Sequence, residues 1–476
     1  MQHTTRTSPL YSLLTCCCFV LVALLPNRPL HAVQTTPAIP ANMYDAQVAQ
    51  RWMALLYEQV DLIGIYPPTS GRIYGYAGVA LYEAVAAGLP GRPSLAMHLN
   101  AMPAMPAPAD GALYDWPSVV NGAMAAVSEP LLSQSSVRTL FTATQQGLAG
   151  RPVRRLRDQL AAERRQTVDD EIVARSLAFG ASIGASVAAW AATDGFAATR
   201  QMSYRVPTGD PAFWTPTRAG LEPVEPHWHR VRPLVLTDGH ECTVPLALTF
   251  STAVDSAMYA QALEVYQMGI KLQPEEAAIA EFWADHAGNG GMHTGHWLLI
   301  GNQLIDQLNL NLVEAAKMLM LIGLAMHETG VSVWTMKYET LVMRPETYIQ
   351  RYIDPYWEPL LDTPNFPEYP SGHATFGAAA AAIITAHWGV IAFTDHAGIV
   401  DDKGRSRTFT SMEAAAYENA LSRLYGGVHY RIGMEAGLRQ GDCIGQRILA
   451  RVAPVVEALE AEALDAEGRS VEGSVP

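Results

Sequence analysis

Nine stretches of the chain carry apolar residues at three- and four-residue intervals: Tyr44 to Leu62, Ile73 to Ala87, Ser118 to Leu132, Val153 to Asp194, Ala253 to Met268, Pro274 to Asp285, Leu308 to Tyr338, Gly372 to Trp388 and Ser411 to Tyr425. That interval gathers the apolar side chains on one side of an α-helix, and such a helix has to bury that side against another. Strand-like alternation is confined to short pieces such as Val231 to Leu236, inside Pro-rich connections. The expected class is therefore all-α, helical bundles with long irregular loops lining a site. With 49% of 476 residues apolar and 16% charged, the chain has the material for a large core.

The ends read differently from the middle. Arg6, an apolar run from about Leu10 to Leu25 and a small-residue exit at Ala32 predict a signal peptide over 1–32 and an exported chain, periplasmic or secreted. Leu14-Thr15 before Cys16 does not fit a lipoprotein site. Past the signal peptide the longest apolar stretch, Ala374 to Val390, is broken by His387 and Gly389, so no membrane association is expected of the mature form. Residues 33–239 read as an N-terminal helical half, 240–455 as a C-terminal bundle that carries the site, and 456–476 as an acidic tail expected to fray. The Pro-, Trp- and Gly-rich connection from Gly195 to Thr243 is long for a structureless loop, and its part from Ala197 to Pro233 is expected to wrap the pocket. Cys242 and Cys443 are equally consistent with a disulfide and with two buried thiols. A net charge of −14 argues against nucleic acid and for a small partner, and apolar helix surfaces point to a homodimer.

Chemistry concentrates in three blocks of the second half. Lys337 and Arg344 stand seven residues apart, on one face if the helix continues; alone, the pair reads better as a solvated helix end. Pro370-Ser371-Gly372-His373 leads into an Ala-rich helix, whose first N–H groups and dipole attract an anion, with Gly372 permitting close approach and His373 beside it for proton transfer. Ser422-Arg423 and His429 follow, a guanidinium that clamps oxyanion oxygens and an imidazole that attacks or coordinates the central atom. Together they predict a local cationic pocket for phosphate or vanadate in an acidic protein.

In this order, Lys-x6-Arg-Pro, Pro-Ser-Gly-His and Ser-Arg-x5-His resemble the signature shared by type 2 phosphatidic acid phosphatases, class A acid phosphatases and vanadium-dependent haloperoxidases. Trp334, Phe366-Pro-Glu-Tyr-Pro-Ser-Gly-His373, Pro226-His-Trp-His-Arg-Val-Arg-Pro233 and Phe282-Trp-Ala-Asp285 resemble the bacterial haloperoxidase branch, over roughly Tyr44 to Arg451. The resemblance implies helical bundles of the vanadium haloperoxidase and acid phosphatase type. It implies vanadate as cofactor, bonded to vanadium through His429 and held by Lys337, Arg344, Ser371, Gly372 and Arg423. It further implies that His373 serves as acid–base group and that Lys337 polarises hydrogen peroxide. The expected reaction is oxidation of halide by peroxide to a hypohalous acid, which could pass to a small organic acceptor. Trp334 and Phe366, the expected halide pocket, resemble the chloroperoxidase type, so chloride is expected beside bromide. The alternative is an acid phosphatase with His429 phosphorylated.

One position departs from the family. Gly433 stands where many members carry an Asp that orients the vanadate-bound His, with Glu435, a backbone carbonyl or Asp285 as candidates to replace it and Asp285 favoured as a partner of Arg423 or Lys337. His293 and His296 have the look of a metal pair, but a Gly-rich loop need not present both rings together. His327-Glu328 lacks the second His of a zincin.

Overall fold

Helix starts are set by prolines and small polar caps, and each start fixes which face turns inward. The computed structural model describes residues 39–135, 143–218, 220–285, 292–396 and 406–472; the expected signal peptide lies outside the described residues. In chain order the helices are α1 (Gln47–Ile63), α2 (Pro67–Ala86), α3 (Trp116–Ser135), α4 (Ala143–Arg164), α5 (Asp170–Ala191), α6 (Phe196–Thr199), α7 (Ala257–Ile270), α8 (Pro274–Phe282), α9 (Met292–Gln307), α10 (Leu312–Thr340), α11 (Pro345–Tyr352), α12 (Gly372–Trp388), α13 (Met412–Tyr425) and α14 (Arg431–Glu472). A two-stranded antiparallel ribbon, β1 (Phe393–Asp395) with β2 (Arg407–Phe409), pairs Phe393 with Phe409.

The centre is α10 against α2. Every residue of α2 is buried, as is α10 from Ala315 to Lys337. Helices apolar all round in this way belong to the middle of a large core. Asn311 caps α10 by accepting from the N–H groups of Val313 and Glu314. The packing continues through α12 to α13 and α14, so the described residues form one compact unit in which both expected halves share a core. Among the described residues α5 alone has the length and apolarity of a membrane span, and it packs along α3.

Several expectations are corrected. The period from Val153 to Asp194 is two helices, because Asp169 leaves helical geometry and caps α5 by accepting from Glu171 N–H. Helices α9, α11 and α14 lie partly or wholly outside the expected stretches. Helix α14 runs through the start of the expected tail to Glu472, where Ala, Glu and Leu are strong helix formers. Cys242 and Cys443 form a disulfide with Cα atoms 5.7 Å apart.

The long connection is held in place by buried polar groups rather than by its own ladder. Glu328 of α10 accepts the N–H groups of Leu234, Val235 and Leu236, and Arg72 of α2 forms a fully buried ion pair with Asp194 at 2.6 Å. Arg200, Arg218 and residues 220 to 225 of this connection form one wall of a cleft of about 980 Å³ that also takes in His373 and Arg423.

Candidate active site

Three chain segments meet under that cleft. The first is the end of α10. The helix stops at Leu341, which turns into the left-handed region (φ 50°), so Lys337 and Arg344 do not share one continuous helical face as expected. Arg344 is instead the extended N-cap residue of α11, with Pro345 in the first turn. Both side chains still converge, because both reach the same strap of chain, residues 366–370. Lys337 Nζ donates to the carbonyls of Pro367 (3.0 Å), Glu368 (2.9 Å) and Pro370 (2.6 Å). Arg344 Nε donates to Phe366 O at 2.8 Å. The Phe366 ring lies beneath the two cations, 5.1 Å from Lys337 Nζ and 4.9 Å from Arg344 Cζ, and packs on Trp334 with centroids 5.1 Å apart.

The second segment opens α12. Ser371 is the N-cap, its hydroxyl accepting from Ala374 N–H, and its own N–H donates to Gly433 O at 2.9 Å. Gly372 and His373 form the first helical turn, where N–H groups have no intrahelical acceptor. The third segment ends α13: Arg423, buried, donates Nη1–H to Trp283 O at 3.3 Å. Gly426 and Gly427 then reverse the chain. Gly427 sits at φ 76°, with Pro359 and Trp357 3.0 Å from where a Cβ would stand, so only glycine fits. That turn delivers His429 into the pocket.

His429 supplies the most defined piece of chemistry. Its Nδ1 is 2.8 Å from Glu368 Oε1 and its Nε2 is 3.1 Å from Arg344 Nη1. A guanidinium only donates and an ionised carboxylate only accepts, so the proton belongs on Nδ1 and the Nε2 lone pair faces the cations. Burial, then the charges of Arg344, Lys337 and Arg423, hold this imidazole well below its ordinary pKa. It is a neutral base aimed into the pocket.

Glu368 is the residue that the sequence reading missed. None of the three expected substitutes orients His429: Glu435 is exposed, Asp285 accepts from His296 Nδ1 at 2.8 Å, and no backbone carbonyl takes the Nδ1 proton. Glu368 is fully buried and accepts from both His429 Nδ1–H and Tyr430 N–H. It fits because position 433 is glycine: a Cβ there would meet Glu368 Oε1 at 2.2 Å. The carboxylate at 368 thus occupies space that any side chain at 433 would need. The signal was a charged residue inside an otherwise Pro-rich and aromatic strap, which comes to lie against Gly433, the most conspicuous gap in the motif, only once the chain is folded.

Asp285 reaches Arg423 only through its field, which opposes the burial that lowers the Arg423 pKa to about 10. His293 and His296 do not form a metal pair. Both ring nitrogens of His296 are taken by carboxylates, Asp285 and Asp395 (2.9 Å), whereas the His293 ring lies 4.0 Å from that of His373.

The pocket has an excess of positive charge with an ordered set of donors. Burial, then repulsion from Arg344, pushes Lys337 well below its ordinary pKa despite the pull of Glu368. Burial likewise takes Arg344 to about 9. Two carboxylates, Glu368 beside Lys337 and Arg344 and Asp285 near Arg423, face three cations, and among the described residues Arg344 Nη2 and Arg423 Nε are buried without a hydrogen-bond partner. Such groups are costly to bury unless an acceptor completes them. Seven expected residues, Lys337, Arg344, Ser371, Gly372, His373, Arg423 and His429, line one site, although Lys337 spends its three donors on the strap.

The fold and the site thus define a helical-bundle protein with a buried cationic pocket for a tetrahedral oxyanion. Residues 317–458 match the family described as VCPO second helical-bundle domain. Over 177 residues the chain is 27% identical to vanadium chloroperoxidase of Curvularia inaequalis, a match covering 26% of this chain and 29% of that enzyme's length. A structure titled as the first bacterial vanadium-dependent iodoperoxidase superposes with a TM-score of 0.78 at 29% identity, covering 87% of this chain and 98% of the other. A holo-type bacterial vanadium-dependent chloroperoxidase shares the fold at a TM-score of 0.61 and 16% identity, covering 83% and 94%. The chain thus carries the second helical-bundle domain of the vanadium-dependent haloperoxidases and shares their fold.

Proposed function

We propose that the protein is an exported vanadium-dependent haloperoxidase that oxidises bromide and iodide, and chloride through its Trp334–Phe366 pair, with hydrogen peroxide. The observation that carries this reading is the Glu368–His429–Arg344 row, which sets a neutral Nε2 lone pair among buried cations. The donor set fits vanadate: Arg344 Nη2 and Arg423 Nε are buried and unpartnered, Ser371 and Gly372 stand at a helix start, and His429 Nε2 is unprotonated, as a metal ligand must be. Bound there, vanadate would act as a Lewis acid that activates peroxide toward halide without changing oxidation state.

The chain's own residues divide the remaining work. Glu368 fixes the His429 tautomer, so the ring presents a lone pair rather than an N–H. Arg344, Arg423 and the first N–H groups of α12 neutralise oxyanion charge in a water-poor setting, where such contacts are strong. His373, 8% exposed at the cleft floor, is placed to take and return a proton as peroxide enters. Lys337 holds residues 367–370 in register by its three carbonyl bonds; to polarise peroxide it would have to exchange one of them. The cleft walled by Arg200, Arg218 and residues 220 to 225 leaves room for a small organic acceptor.

Export is supported by the Cys242–Cys443 disulfide, which persists in oxidising compartments. The reading is tested by reconstituting metal-free protein with orthovanadate. Peroxide-dependent bromination of a phenol-type dye is expected, abolished in His429→Ala and suppressed by excess phosphate. Phosphate-ester hydrolysis without any bromination would favour the acid phosphatase alternative instead.

A further inference from the structure

In the sequence His293 has the look of half a metal pair, a reading that the Gly-rich loop disfavours, and the fold gives it a different setting. It sits in the first turn of α9, 3% exposed, and lines the cleft beside His373 and Arg423. Its ring packs against two others, both from α12: His373 with centroids 4.0 Å apart and planes at 36°, and Phe376 4.8 Å away at 59°. A ring packed in this way has little rotational freedom, so the direction of its nitrogens is fixed by the core. Nε2 points to the start of α12: it stands 3.8 Å from the place a Cβ on Gly372 would occupy. There it is buried, with no hydrogen-bond partner among the described residues. An imidazole nitrogen kept in that state costs stability unless something in the cleft completes it, whereas a leucine or phenylalanine would fill the same volume without that cost.

We propose that His293 is a further anion-binding residue of the pocket, donating Nε2–H to the tetrahedral oxyanion on the side where His373 stands. The inference rests on the reading of the pocket as an oxyanion site and adds a contact from α9, a helix outside the three sequence blocks. Burial, then the nearby charges of Arg423 and Lys337, keep His293 well below its ordinary pKa. It therefore contributes a dipole and one N–H rather than another full charge, which suits a place already crowded with cations.

The test is calorimetric titration of the metal-free full chain with orthovanadate and, separately, with inorganic phosphate. His293→Phe keeps a ring against His373 and removes the nitrogen; it should bind both anions about tenfold more weakly, the loss of one hydrogen bond to a charged acceptor. His293→Gln, whose amide can donate, should recover part of that loss. A folded His293→Phe protein that binds both anions within twofold of the wild type overturns the proposal. A second readout on the unmutated protein guards against a variant that fails to fold. In nitrogen-15 histidine spectra the His293 Nε2 resonance should shift when orthovanadate is added, and a resonance that stays in place while the anion binds also overturns it. Wild-type protein that binds neither anion would instead refute the oxyanion reading itself.

Discussion

Removing the Glu368 carboxylate should weaken vanadate binding 10- to 100-fold, and moving it to position 433 should restore much of what is lost. The hydrogen bond from His429 Nδ1–H to Glu368 Oε1 is 2.8 Å long and fully buried. A buried bond of that kind to a charged acceptor contributes about 1.5–3 kcal/mol, roughly one to two decades in a binding constant. Truncation by Glu368→Ala leaves an N–H without a partner and lets the ring adopt the tautomer that turns a proton toward the pocket. Gly433→Asp alone should destabilise the fold by about 1–3 kcal/mol through overpacking, because its Cβ would meet Glu368 Oε1 at 2.2 Å. In the double variant each change removes the other's defect: truncation at 368 opens the space, and the new carboxylate at 433 lies beside the vacated Oε1 position. The assay is orthovanadate affinity by calorimetry, with peroxide-dependent bromide oxidation and melting temperature measured alongside. The reasoning fails if Glu368→Ala binds vanadate like the wild type, or if adding Gly433→Asp to it recovers neither affinity nor rate.

Three further outcomes follow from the same geometry. Burial would lower the His296 pKa, but Asp285 and Asp395 together raise it to about 10, so the folded state holds this proton where the unfolded chain has lost it. Its stabilisation is complete below about pH 6.5 and is lost as pH rises toward 10, with a slope of up to about 1.4 kcal/mol per pH unit; His296→Gln should flatten the melting temperature over that window. Reduction of the Cys242–Cys443 disulfide, which spans a sequence separation of 201 residues, should cost roughly 2–5 kcal/mol and appear as a lower melting temperature in reductant. Phe366→His should weaken chloride turnover more than bromide turnover, because it replaces the aromatic face under Lys337 and Arg344; equal losses in the two kcat/KM values would count against Phe366 as a halide determinant.

Much of the pocket was legible in the linear chain because its components are local. A helix start after Pro370-Ser371-Gly372, a Lys and an Arg closely spaced, and a His just past a Gly-Gly break each carry their chemistry within a few residues. Helical period likewise predicted the class and the central element, Leu308 to Tyr338, observed as Leu312–Thr340. What failed was anything decided by competition between local and distant partners. The period from Val153 to Asp194 did not register a cap at Asp169, and the spacing of Lys337 and Arg344 implied a continuous helix where Leu341 ends it.

By itself, then, the sequence determined the helical class, the oxyanion chemistry and seven residues of the pocket, since capping, dipole and charge act over one or two turns. Only the tertiary structure decided which carboxylate holds His429, that Lys337 ties down residues 367–370, and that His293 faces His373. Glu368 and His429 are 61 residues apart in the chain, and His293 and His373 lie on different helices. Nothing along the backbone relates such residues. Their meeting is set by how α9, α10, α12 and the turn after α13 pack, and by the small volume that Gly433 leaves for a side chain arriving from elsewhere.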